Sequence, residues 1–422
     1  MISGRRLRQE DRQMIVKSAA QGLSTSRLDS LDRFLQSRYV DAGKIPGALI
    51  LIFRGGEIAH YSTLGYADVE RSAPVREDTI YRIYSMTKPI TSVAFMQLVE
   101  QGLVALDDPV HRYIPEWKEL GVYQGGLMET FRTRRPDRSM LIIDLLRHTS
   151  GLTYGFQQST NVDAAYRKLG IGELERHGTL EEAVQKLAGV PLDFSPGTAW
   201  SYSVSTDVIG YLVGKISGTR FDEYLRTSIF EPLGMVDTDF YVHAGRESRL
   251  AACYAANPAG GMVLLDNPEK SQYLQPPTML SGGGGLVSTA QDYLSFCRML
   301  LNGGTLDGVQ ILSPKTIELM TLNHLPDGKD LPALSRSLFS EATYNGIGFG
   351  LGFAMTIDPA QTMLPGSAGD YFWGGAASTY FWIDPKEEMI VIFLTQLMPS
   401  VTYPIRRELR TLVYSAFTGS DR

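Results

Sequence analysis

Strand-forming sequence sits at both ends of this chain, with helical sequence between. An apolar run from Gly47 to Phe53 meets the turn Arg54-Gly55-Gly56-Glu57 and resumes from Ile58 to Leu64, the pattern of a β-hairpin. Near the C-terminus, Ser378–Ile383 and Met389–Leu394 flank Asp384-Pro385-Lys386-Glu387 as a second hairpin. The two ends are expected to share one sheet, with the intervening chain packed on it or inserted into it.

Residues 27–42 read as a sheet-covering helix, with Leu28, Leu31, Phe34 and Leu35 near helical spacing and Gly43 beyond its end. From Ser85 to Glu100 the chain is nearly free of charge apart from Lys88, which predicts a helix buried on most sides. From about Gly102 to Leu280 short helical stretches alternate with Gly and Pro loops: 141–147, 180–187, 206–216 and 221–229. Residues 289–302 form another helix stopped by Gly303-Gly304. Ile405, Leu409, Leu412, Val413 and Phe417 mark a last one over 403–417. The expected organisation is an N-terminal extension 1–26, a discontinuous α/β sheet domain over 27–101 and 281–422, and a mainly helical subdomain over 102–280.

Composition removes several classes of function. The 422 residues carry a net charge of −6, and the dense basic stretch Arg132–Arg138 is broken by Pro136 and Asp137, so it reads as a solvated loop and no nucleic-acid partner is expected. Cys253 and Cys297 lack C-x-x-C spacing and are expected to be free, buried thiols. No run reaches the ~18 apolar residues of a membrane span. Residues 1–21 carry Arg5, Arg6, Arg8, Glu10, Asp11 and Arg12 without a signal-peptide core, so the expected location is the cytoplasm. No serine sits in G-x-S-x-G, and the six histidines show no H-E-x-x-H spacing. Gly282–Gly285 lacks a following Gly-Lys-Ser/Thr and reads as a tight turn ahead of the helix opened by Ser288 or Thr289.

What remains is Ser85-Met86-Thr87-Lys88. About one S-x-x-K match is expected by chance in a chain of this length, so its context carries the weight. An extended segment, Tyr81–Tyr84, runs here into the uncharged helix. Ser85 is thereby placed at a helix N-terminus, where free N–H groups and the helix dipole stabilise an oxyanion. Lys88, three residues on, projects from the same face.

Taken together, several segments resemble serine β-lactamases and penicillin-binding proteins, and within them the class C and family VIII carboxylesterase branch. They are Tyr84-Ser85-Met86-Thr87-Lys88-Pro89, Leu145-Leu146-Arg147-His148-Thr149-Ser150-Gly151-Leu152, Phe194-Ser195-Pro196-Gly197 leading to Tyr202, Gly282–Ser288 and Trp373-Gly374-Gly375. The resemblance spans roughly residues 30–415. It implies a β-lactamase/transpeptidase-like α/β (α+β) fold, a central antiparallel sheet flanked by helices with a helical subdomain inserted.

The same resemblance implies that Ser85 is the acylated nucleophile, Lys88 its activating partner and Tyr202 the tyrosine of the Y-x-N motif, here Tyr202-Ser203-Val204. Either Tyr202, held partly ionised by a nearby cation, or a desolvated neutral Lys88 can serve as base, and sequence leaves both open. The amides of Ser85 and Ala376 would form the oxyanion hole. His148 reads as structural. Tyr154, Phe156, Phe349, Trp373, Gly374 and Gly375 are pocket candidates. Trp373 stands where the family carries a cation, and Val204 replaces the amide that would hold an acylamino group; both changes favour neutral esters. The expected activity is hydrolysis of short-chain neutral esters through an acyl-enzyme, with a small-molecule ester as substrate, no nucleic-acid or membrane partner, and no metal or cofactor; the oligomeric state is not readable from the sequence. The alternatives are a β-lactamase or D-aminopeptidase-like amidase, an acyltransferase, and a penicillin-binding sensor without turnover.

Overall fold

The computed structural model describes residues 22–128, 130–172, 176–336 and 344–418, together with the backbone of Val16–Lys17. Apart from those two positions, the expected extension lies outside the described residues as far as residue 21.

The two ends of the chain do share a sheet. Strands β1 (Gly47–Arg54) and β2 (Glu57–Asp68) join β3 (Ile347–Phe349), β4 (Ala354–Thr356), β5 (Tyr371–Gly374), β6 (Tyr380–Asp384) and β7 (Met389–Leu394) in the order β2-β1-β7-β6-β5-β4-β3. Val16–Lys17 and Ala73–Pro74 add short pairings to β2, making nine strands in all, every pair antiparallel. The join is β1 to β7, from Leu49 opposite Leu394 to Arg54 opposite Met389. The β1–β2 turn is Gly55-Gly56, with φ of 57° and 91°, the left-handed pair that lets a two-residue hairpin follow the strand twist.

Both sheet faces are covered, which is why β7 reads Met-Ile-Val-Ile-Phe-Leu with every residue buried. Strand alternation divides the aromatic residues. Trp382 stacks 6.3 Å from Tyr414 of helix α5 (Ile405–Ser415), which in turn packs on α1 (Thr25–Leu35). The neighbouring Phe381 faces the other way, 5.0 Å from Tyr293 of α4 (Ala290–Leu301). Helix α2 (Thr87–Glu100) packs on α3 (Ser205–Ser217) and is buried over most of its length.

The region 102–280 is rich in short helices, including Ile142–Leu146, Asn161–Leu169, Leu180–Leu187 and α3. It also carries strands that helical periodicity does not show. Arg132–Arg134 pairs with Val122–Gly125, so the basic stretch begins as an exposed ribbon instead of a loop. Arg138 is partly sequestered, bonding the buried Asp144 at 2.6 and 2.8 Å. Cys253–Ala256 pairs with Met262–Asp266 and, in parallel, with Leu397–Met398, so the chain on either side of residue 281 is stitched together. Both cysteines are free and buried. Among the described residues no helix is long and apolar enough to cross a membrane.

Candidate active site

Ser85 is delivered by a pinned strand and a strained turn. Tyr81–Arg82 pairs with Val287–Ser288. The buried Arg82 guanidinium holds that segment through Ala251 O (2.6 Å), Asp266 Oδ2 (2.8 Å) and Ser271 Oγ (3.0 Å). Tyr84 then adopts a left-handed φ of 43°, at a cost on the order of 1–3 kcal/mol for a non-glycine residue, and Tyr84–Met86 makes a 3₁₀ turn feeding α2. Ser85 therefore lies just ahead of the helix, partly exposed between buried neighbours.

Lys88, one turn on, is only 2% exposed. Its Nζ donates to Gly283 O (2.6 Å) and Tyr154 Oη (3.1 Å) and lies 4.5 Å from the centre of the Tyr202 ring. Tyr202 packs against His148 (5.1 Å), Tyr154 (5.3 Å) and Trp373 (5.5 Å). Among the described residues Ser85 Oγ makes no hydrogen bond to Lys88 or Tyr202; such contacts are often long in a free enzyme and tighten around substrate.

The facing wall is the end of β5. A Cβ on Gly375 would collide with Thr379 Oγ1 and the carbonyl of Ile83, and one on Gly374 would lie 2.6 Å from Arg406 Nη2. The two glycines thus let this loop press against the strand that enters Ser85. Arg406 of α5 braces it by donating to Gly375 O (2.7 Å) and Thr379 O (3.0 Å). The next amide, that of Ala376, has no acceptor among the described residues.

These elements enclose a cavity of about 160 Å³ lined by Ser85, Tyr154, Phe156, Tyr202, Trp373 and the 374–376 loop. Phe349 is outside that lining; it packs 5.3 Å behind Trp373, and it also touches His148. Lys88 likewise lies behind the cavity surface, under Tyr154, Tyr202 and Gly283. Val204 lines the cavity wall, and the Trp373 indole N–H is buried with no acceptor among the described residues.

Two titratable neighbours are held neutral. Burial, then the charge of Asp207, pushes the Tyr154 phenol well above its ordinary range. Burial, then the charge of Lys88, pushes His148 well below its own. His148 sits in a left-handed turn (φ 59°), with Nδ1 3.1 Å from Ser203 Oγ.

Sequence reasoning missed three parts of this arrangement. The run Gly282–Gly285 is no bare turn: it supplies the carbonyl that holds Lys88, and a Cβ on Gly282 would lie 2.7 Å from Thr206 O. Four glycines in a row were the available signal. Asp207 and Arg406 left none, since an acidic residue in a first helical turn and an arginine on an amphipathic helix are ordinary.

A profile of the beta-lactamase family matches residues 32–415. Protein Rv1367c of Mycobacterium tuberculosis is 36% identical, the alignment covering 86% of this chain and 88% of that protein. Esterase EstB of Burkholderia gladioli is 30% identical over 92% of this chain and 95% of its own. Among solved structures, EstCE1, described as a hydrolase with promiscuous acyltransferase activity, superposes with a TM-score of 0.77 at 28% identity, covering 92% of this chain and 99% of EstCE1. On the profile, the esterase relative and the shared fold, the chain belongs to the beta-lactamase family of the serine β-lactamase and penicillin-binding protein superfamily.

Proposed function

We propose that this protein is a serine carboxylesterase that hydrolyses short-chain neutral esters through an acyl-enzyme on Ser85. One observation carries the reading: Ser85 and Ala376 line one cavity with Tyr202, whose ring lies over the buried Lys88 amine, and the Ala376 amide has no acceptor among the described residues. Ser85 Oγ attacks the ester carbonyl and its proton passes to the Lys88–Tyr202 pair. The amides of Ser85 and Ala376 take the developing oxyanion. The proton then goes to the departing alcohol, and water repeats the relay to release the acid. An uncharged Trp373 and an apolar Val204 favour an ester without a carboxylate or acylamino group beside the reacting carbon.

The test is turnover of p-nitrophenyl acetate and butyrate, with nitrocefin beside them. Ser85→Ala is expected to abolish ester turnover, and Tyr202→Phe or Lys88→Ala to lower kcat on the order of 10²-fold or more. A Ser85→Ala enzyme that keeps most of its rate, or lactam turnover exceeding ester turnover, contradicts the reading. The likeness to EstCE1 supports a second outcome from the same acyl-enzyme, transfer to an alcohol. Added methanol would then yield methyl ester in place of part of the free acid.

A further inference from the structure

We infer that Tyr154 and Asp207 form a positioning pair that dictates how Lys88 handles the proton; the inference rests on Ser85 being the nucleophile. Gly283 O, which receives one N–H of Lys88 at 2.6 Å, can only accept. Tyr154 Oη, which receives another at 3.1 Å, carries a single proton, and the Asp207 carboxylate lies beside it, both groups reaching the position a Cβ on Gly283 would take. With the phenol oxygen accepting from Lys88, the neighbouring carboxylate, which can only accept, is the group toward which we place that proton.

Asp207 is itself held from the opposite side. Its Oδ1 accepts from Ser281 Oγ (2.5 Å) and from the Gly283 amide (3.0 Å). A Cβ on Gly283 would lie 2.6 Å from Asp207 Oδ2 and 2.9 Å from Tyr154 Oη, so the carboxylate and phenol converge on the space that only a glycine leaves open.

With two of its bonds committed to acceptors, the Lys88 amine has one direction left. As a neutral amine it presents its lone pair there; as an ammonium it presents its third N–H. When Ser85 Oγ bonds to the acyl carbon, its proton enters that lone pair, directly or through Tyr202, and returns along the same line to the leaving alcohol. The positive charge that appears on the buried nitrogen has the Asp207 carboxylate on the far side of Tyr154, a compensation a buried charge needs. The other titratable groups around it are Tyr202 and His148, from the same region as Asp207 and Tyr154.

The test compares Tyr154→Phe and Asp207→Asn with wild type. The readouts are kcat and KM on p-nitrophenyl butyrate across pH, the rate at which a fluorophosphonate labels Ser85, and thermal melting. Both variants are expected to lose on the order of 10- to 10²-fold in kcat and in labelling rate, with KM within about twofold. In Asp207→Asn the loss is expected to fall on kcat and labelling rate and to leave KM and melting temperature close to wild type. Tyr154→Phe deletes one atom and keeps the test open if Asp207→Asn folds poorly. Variants that label and turn over within about twofold of wild type overturn the inference. A joint loss of kcat, KM and melting temperature, the mark of a merely structural role, overturns it too. A wild-type enzyme that fails to label at Ser85 sinks the nucleophile assignment as well, so the two failures are told apart.

Discussion

Gly375 has no room for even a methyl group, since Thr379 Oγ1 and the Ile83 carbonyl already occupy the position of a Cβ. Gly375→Ala must therefore push the loop away from the strand entering Ser85 and carry the Ala376 amide with it. Removing one oxyanion donor costs about 10²–10³-fold in kcat in serine hydrolases, and a loss of that size is expected here, with KM little changed. A variant with wild-type kcat would show that the Ala376 amide is no part of the oxyanion hole. At this scale, the S-x-x-K spacing singled out Ser85 and Lys88, and the family resemblance pointed to Tyr202 and the paired glycines, which the fold gathers around one cavity. Asp207 was not legible. Its partners Tyr154, Ser281 and Gly283 are distant in sequence, and no local pattern announces a contact made through space. Phe349 was misplaced for the same reason, because its one-layer offset behind Trp373 is a matter of packing.

Among the elements, those with a clear period were legible: α1 with its π-helical continuation Gln36–Val40, α2, α4, α5 and the hairpins β1–β2 and β6–β7 all lie within a few residues of where their apolar spacing places them. The strands Arg132–Arg134 and Cys253–Ala256 were not. The first is exposed on every residue and has no apolar alternation to read, and the second is short and owes its place to Leu397–Met398 from the far end of the chain. Helix α4 carries a titration signature at its start. Thr289 caps it, accepting from the Asp292 amide at 3.2 Å, while Asp292 Oδ2 accepts from the Asp237 amide (2.7 Å) and Thr238 Oγ1 (2.8 Å). Burial pushes the Asp292 carboxyl up to about 6. A group whose folded value is raised binds its proton more tightly in the native state, so its stabilising contribution is complete in the usual carboxylate range and is lost as pH rises through about 6. Asp292→Asn is expected to remove that slope, gaining on the order of 1–3 kcal/mol over wild type near pH 7 and converging with it near pH 4. Parallel curves of melting temperature against pH would contradict the assignment.

For the molecule as a whole, the constraint that matters is that its two ends close one sheet. The pairing of β1 with β7 brings the chain that enters α2 beside the loop after β5, and so sets Ser85 against Ala376 across nearly three hundred residues of intervening sequence. The shared sheet was legible from hairpin signals at both ends, but the cross-stitching of Cys253–Ala256 to Leu397–Met398 was not, and it makes the helical region less separable than its composition implies. The catalytic claim rests on one oxygen atom of this assembly. Its most direct test is to react the full-length protein with a p-nitrophenyl phosphonate ester, digest it, and map the modified peptide by mass spectrometry. One equivalent of adduct on Ser85, absent in Ser85→Ala and accompanied by complete loss of esterase activity, is the expected result. A stoichiometric adduct on any other residue, or full esterase activity after Ser85 is blocked, would contradict the account.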